Sequence, residues 1–108
     1  MAITIMQGDS YPIYVNLNQD GKNLTPDMVE DLELCVGEIW NYRYSAGTLS
    51  YDFGRKKWYF FPTQEDTINA EGSHAIYVRP KYYGDPSEVY TYKIDRLTVV
   101  QTDCKEVL

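Results

Sequence analysis

Asp9 and Ser10 stand side by side in the segment Met6-Gln7-Gly8-Asp9-Ser10-Tyr11-Pro12, and the chain has one histidine, His74. A carboxylate, a hydroxyl and an imidazole are the parts of a Ser-His-Asp triad, in which the imidazole takes the hydroxyl proton and the carboxylate orients the imidazole. Such a serine needs a sharp strand-turn-helix elbow. Ser10 lacks that setting, because the residues after it carry Pro12 and then alternate as a strand does. His74 opens another alternating run, in phase with Ile76 and Val78, and reads as a histidine at the rim of a core. Zinc takes about four Cys, His or carboxylate ligands at short paired spacings. One histidine and two distant cysteines, Cys35 and Cys104, do not supply them. Asp20-Gly21 and Gly84-Asp85 are isolated acidic turns without the ligand spacing of a calcium loop. The seven glycines are dispersed, so no phosphate-binding loop is present, and none of the 16 acidic residues stands out as a glycosidase pair. No catalytic, metal or cofactor site is assigned. The cysteines are expected to be free thiols, because the position two before Cys104 is Thr102 and not the tyrosine of an immunoglobulin disulfide.

The aromatic residues carry more information. Trp40, Tyr42 and Tyr44 alternate beside Asn41 and Arg43. Tyr82 and Tyr83 precede a turn, and Tyr90 and Tyr92 follow it. If exposed, such rings stack on sugars or form a protein contact; if buried, they are one face of a core. Clusters of Trp, Tyr and Arg have the composition of interface hot spots. Trp40, Tyr42, Tyr44, Tyr82 and Tyr83 are therefore the candidate interface residues, and at least two of the five are expected to be exposed in the isolated chain.

The elements that must hold these residues are strands. Ile13, Val15 and Leu17 share one face, with Tyr14 and Asn16 on the other. Leu32, Leu34 and Val36 repeat the pattern against Glu33 and Cys35, as do Leu49, Tyr51 and Phe53, and His74, Ile76 and Val78. Turn signals at Asn18–Gly21, Phe53–Lys56 and Tyr83–Ser87 separate the runs. Thr25-Pro26 and Thr63 with Asp66 each support a short helical turn, the second as a loose capping box. The spacing predicts an all-β antiparallel sandwich of about seven to nine strands with one or two helical turns. Gly8 to Pro12 reads as the kink where an edge strand leaves one sheet for the other, since glycine gives the turn and proline cannot donate to a ladder.

A chain of 108 residues makes one domain, 1–108, with 103–108 the segment expected to fray. The net charge is −6 and the ten Lys and Arg are scattered, so neither nucleic acid nor an anionic membrane is an expected partner. No basic-apolar leader precedes Ile3-Thr4-Ile5, and no run approaches the ~20 apolar residues of a membrane span. Synthesis in the cytoplasm is expected.

The apolar start, Gly8-Asp9-Ser10, the strand Tyr11–Leu17 and Asp20-Gly21 together resemble small phage tail and baseplate proteins. The likeness is to the N-terminal domain of the upper baseplate protein of siphophages of Gram-positive bacteria. Asp31–Gly37 ("DLELCVG"), Phe60–Thr67 ("FFPTQEDT") and Gly72–Arg79 ("GSHAIYVR") are similar to later strands and a turn of that family. The resemblance implies an immunoglobulin-like sandwich and a non-catalytic structural or adaptor role in a tail, baseplate or neck. Its partners would be other phage structural proteins, with self-association in a ring, and its final location would be the virion. The upper baseplate proteins continue into further regions, whereas this sequence stops at Leu108. The alternative function is carbohydrate binding, with Trp40, Tyr42 and Tyr44 as the stacking platform.

Overall fold

In the computed structural model, residues 2–19, 21–84 and 89–108 are described. Within them the chain forms β1 (Ala2–Met6), β2 (Ile13–Val15), β3 (Asn18–Gln19), β4 (Lys22–Asn23) and a 3-10 turn (Pro26–Met28). β5 (Val29–Val36), β6 (Trp40–Arg43), β7 (Ser50–Asp52) and β8 (Lys57–Phe60) follow. α1 (Gln64–Ile68), β9 (Gly72–Tyr82) and β10 (Tyr92–Val100) complete the order.

A five-stranded sheet of order β1-β10-β9-β5-β6 packs on a three-stranded sheet of order β2-β8-β7, and β3-β4 is a separate hairpin. The alternation of the sequence decides what lies between the layers. Leu32, Leu34 and Val36 of β5, with Ile76 of β9 and Leu97 and Val99 of β10, are buried from the large sheet. Ile13, Val15, Trp58 and Phe60 are buried from the small one. The Trp58 indole N–H, buried with its ring, donates to the Leu24 carbonyl at 2.9 Å, as a buried polar group must find a partner. Asp20 of the β3-β4 turn and Asp85–Ser87 of the predicted third turn lie outside the described residues.

One pairing departs from the antiparallel expectation: β1 runs parallel to β10, from Ala2 opposite Arg96 to Met6 opposite Val100. Tight hairpins impose antiparallel neighbours. No hairpin joins β1 to β10, so their relative direction is free of that constraint.

The kink lies where the sequence places it. β1 is an edge of the large sheet and β2 an edge of the small sheet, and residues 7–12 cross between them. Gly8 has φ 93°, and a Cβ there would stand 3.2 Å from the Cys104 carbonyl. The Asp9 carboxylate accepts from the Met6 amide at 2.8 Å, and the Ser10 hydroxyl donates to the Pro62 carbonyl at 3.0 Å. Thr67, wholly buried on α1, accepts from the Gly8 amide and donates to the Asp9 carbonyl. α1 is held for this purpose by the predicted capping box: the Thr63 hydroxyl accepts from the Asp66 amide while the Asp66 carboxylate accepts from the Thr63 amide.

Residues 101–108 form no strand, and two of them bond back to the fold. The Thr102 amide donates to the Gln7 carboxamide oxygen at 2.9 Å, the Thr102 hydroxyl to the Gln7 carbonyl, and the Leu108 amide to Gln64 at 2.8 Å.

Candidate functional site

The five candidate aromatics do not share a surface. Trp40 and Tyr42 alternate along β6 as expected, but the face they share is the inner one. Trp40 is 8% exposed and meets Phe60 of the opposite sheet edge-on at 6.5 Å; Tyr42 stacks on the same ring at 4.7 Å. Burial, with the Asp66 carboxylate adding, pushes the Tyr42 hydroxyl well above its ordinary pKa. The stacking platform read from Trp40, Tyr42 and Tyr44 is thus corrected: two of its rings complete the core because β8 brings Phe60 against them. Tyr44, beyond the end of β6, sets its edge against Trp58 at 5.3 Å and is 36% exposed. Tyr82 is half-buried against the core. Tyr83, 63% exposed, is the fully open member.

The Asp9, Ser10 and His74 side chains each bond elsewhere. The His74 ring N–H, necessarily on Nε2, donates to the Ala70 carbonyl at 2.8 Å. Cys35 and Cys104 are free. Among the described residues no group of three or more His, Cys, Asp or Glu is placed to hold a metal ion, and no helix is long and apolar enough to cross a membrane.

The outer face of the large sheet is ionic. The Asp31 carboxylate accepts from Arg43 Nε at 2.8 Å and from the Ser45 amide and hydroxyl; Glu33 accepts from Asn41 at 2.9 Å and from Arg79. Burial alone would raise the Asp31 carboxyl, but the bonds from Ser45, Arg43 and Leu32 hold it below its ordinary value. Glu33 is lowered by its Asn41 bond first, against some burial, and then by Arg79.

The outer face of the small sheet is aromatic. β2 and β8 point Ile13, Val15, Trp58 and Phe60 inward, so their alternate positions Tyr14 and Tyr59 face out, opposite one another in register. Their ring centroids are 5.3 Å apart. The Arg55 guanidinium lies 4.6 Å over the Tyr14 ring. Asp52 holds the hairpin that delivers it, accepting from the Gly54 and Arg55 amides at 3.0 Å each. Phe61, next after β8, is 54% exposed, and Phe53, at the hairpin tip, 74%. These residues were not among the sequence candidates, although Tyr14 and Tyr59 stand out of phase with apolar neighbours on their strands.

A second feature opens where β9 and β10 run past the β3-β4 hairpin. A groove of about 450 Å³ has Leu17, Leu24, Val78 and Pro80 as its buried floor. Asn16, Asn18 and Tyr92, all exposed, stand at its rim with Tyr82 and Ile94.

No family model and no curated protein sequence matches the chain. Among solved structures, an endo-β-1,4-mannanase from Thermotoga petrophila is similar with a TM-score of 0.56 at 13% identity. The likeness covers 94% of this chain and 18% of the mannanase chain. At that identity it shows the β-sandwich fold alone.

Proposed function

We propose that this chain is a non-catalytic adaptor, working by protein contact in a multi-subunit assembly of the phage tail, baseplate or neck kind. The observation that carries the reading is the outward aromatic face of the small sheet, where half-buried Tyr14 and Tyr59 pair across the strands, the Arg55 guanidinium covers the Tyr14 ring and Phe61 is exposed next in the chain. Tyr and Arg in one cluster are the residues that dominate binding energy at protein interfaces, because their large surfaces lose water together on docking. The rings are already ordered by their cross-strand contact, so little side-chain entropy remains to be lost on binding. The resemblance of the strand and turn pattern to upper baseplate proteins supports the kind of assembly. The mannanase likeness, being one of fold, does not bring that enzyme's substrate to this chain.

The test is co-expression with the products of the flanking genes, followed by light scattering on the eluted species. A complex of fixed stoichiometry is expected, weakened at least tenfold by the pair Tyr59→Ser and Phe61→Ser while the isolated variant stays folded. A chain that remains alone with every flanking product, or a complex indifferent to the pair, would overturn the reading.

A further inference from the structure

We infer that the groove between the β3-β4 hairpin and the β9-β10 pair is a binding site for a neutral oligosaccharide. The inference stands apart from the protein-contact reading, because it uses none of the small-sheet residues. Its first support is what the groove lacks. Charged residues are 24% of the chain, yet among the described residues none lines the groove. A nucleotide, a phosphate or an acidic glycan would find no counter-charge among these lining residues.

The second support is what the rim offers. Asn16 and Asn18 sit two residues apart, both exposed, at the groove mouth. Among the described residues no hydrogen bond uses either carboxamide. Other amides behave differently: Asn23 donates to the Tyr51 hydroxyl at 2.7 Å and Asn41 to Glu33. A carboxamide carries two donors and an acceptor with two lone pairs, which matches the donor-acceptor pairs of vicinal sugar hydroxyls.

The third support is the ring beside them. Tyr92 is 48% exposed, at the start of β10, and its electron-rich face suits the C–H face of a pyranose. A buried apolar floor, an open aromatic and a few convergent polar groups make up the usual small-ligand site, and about 450 Å³ lies in the range of such sites. A peptide strand adding to a sheet edge would need open ladder groups. Here the Leu17 carbonyl already accepts from the Leu24 amide at 2.8 Å.

The experiment is an NMR titration of the full chain with three neutral hexasaccharides, cellohexaose, mannohexaose and hexa-N-acetylchitohexaose, and with an acidic one, hexagalacturonate. Saturable shifts at Asn16, Asn18 and Tyr92 are expected with at least one neutral glycan and not with the acidic one. Tyr92→Ala should weaken that binding about tenfold, equivalent to about 1.4 kcal/mol. Asn18→Ala, also an exposed position, should weaken it several-fold, with the melting temperature of both variants unchanged. Absence of saturable shifts with all three neutral glycans would overturn the assignment. So would equal binding of hexagalacturonate, or affinity that survives both substitutions.

Discussion

Trp40 and Tyr83 illustrate how differently one residue class is used within one chain. The Trp40 indole is enclosed by Tyr42 and Phe60, whereas the Tyr83 ring, just past the end of β9, meets solvent. Trp40→Ala is expected to lower the unfolding free energy by about 3–5 kcal/mol, as loss of a large buried ring does. Tyr83→Ser should stay within about 0.5 kcal/mol. Urea denaturation followed by far-UV circular dichroism separates the two. Equal effects would mean that Trp40 does not contribute to the core. The lowered carboxyls of Asp31 and Glu33 give a second expectation. A group whose folded pKa lies below its unfolded value stabilises the fold above the unfolded value and loses that effect as pH falls through the folded one. Their ordinary values are 3.8 and 4.5, so stability should be level above about pH 5 and fall progressively below pH 4. Glu33→Gln should shrink the acid loss and cost about 1 kcal/mol at neutral pH, where the Arg79 bond is partly screened by solvent. Melting curves between pH 2 and pH 7, for both proteins, check the sign.

At the scale of elements, α1 is five residues long and too short to be stable by itself. Its worth lies in Thr67, whose hydroxyl serves the Gly8 amide and the Asp9 carbonyl from a fully buried position. Thr67→Val keeps the shape and removes both partners, so about 1–3 kcal/mol should be lost through the unsatisfied Gly8 amide. Hydrogen exchange should quicken at Gly8 more than in β5 or β9; uniform quickening would point to a general packing fault instead. Gly8→Ala should cost a further independent amount, about 1–2 kcal/mol, because φ 93° is strained for alanine and the Cys104 carbonyl is 3.2 Å from its Cβ.

Over the whole molecule, the two ends of the chain close the fold together. β1 and β10 pair in parallel, and residues 101–108 return across the kink to bond Gln7 and Gln64. Removing residues 101–108 should therefore lower the unfolding free energy by about 1–3 kcal/mol, the sum of a few partly exposed hydrogen bonds. Differential scanning calorimetry would show the shift. An unchanged melting temperature would mean that the tail rests on the fold without supporting it.

Local features of this protein were legible in its sequence because they depend on neighbours a few residues apart. Period-two alternation named the buried side chains of β2, β5 and β9. The pairing of Thr63 with Asp66 named the capping box, and Gly8 with Pro12 marked the crossing between sheets. Alternation says that a strand has two unlike faces, but not what lies against each. The Trp40 and Tyr42 face is interior because β8 brings Phe60, eighteen residues after Tyr42, onto it. For the same reason Tyr14 and Tyr59, unremarkable when read strand by strand, become one outward patch only when β2 and β8 pair in register. The parallel course of β1 and the groove beside the β3-β4 hairpin likewise depend on contacts between segments far apart in the chain, which only the tertiary structure brings together.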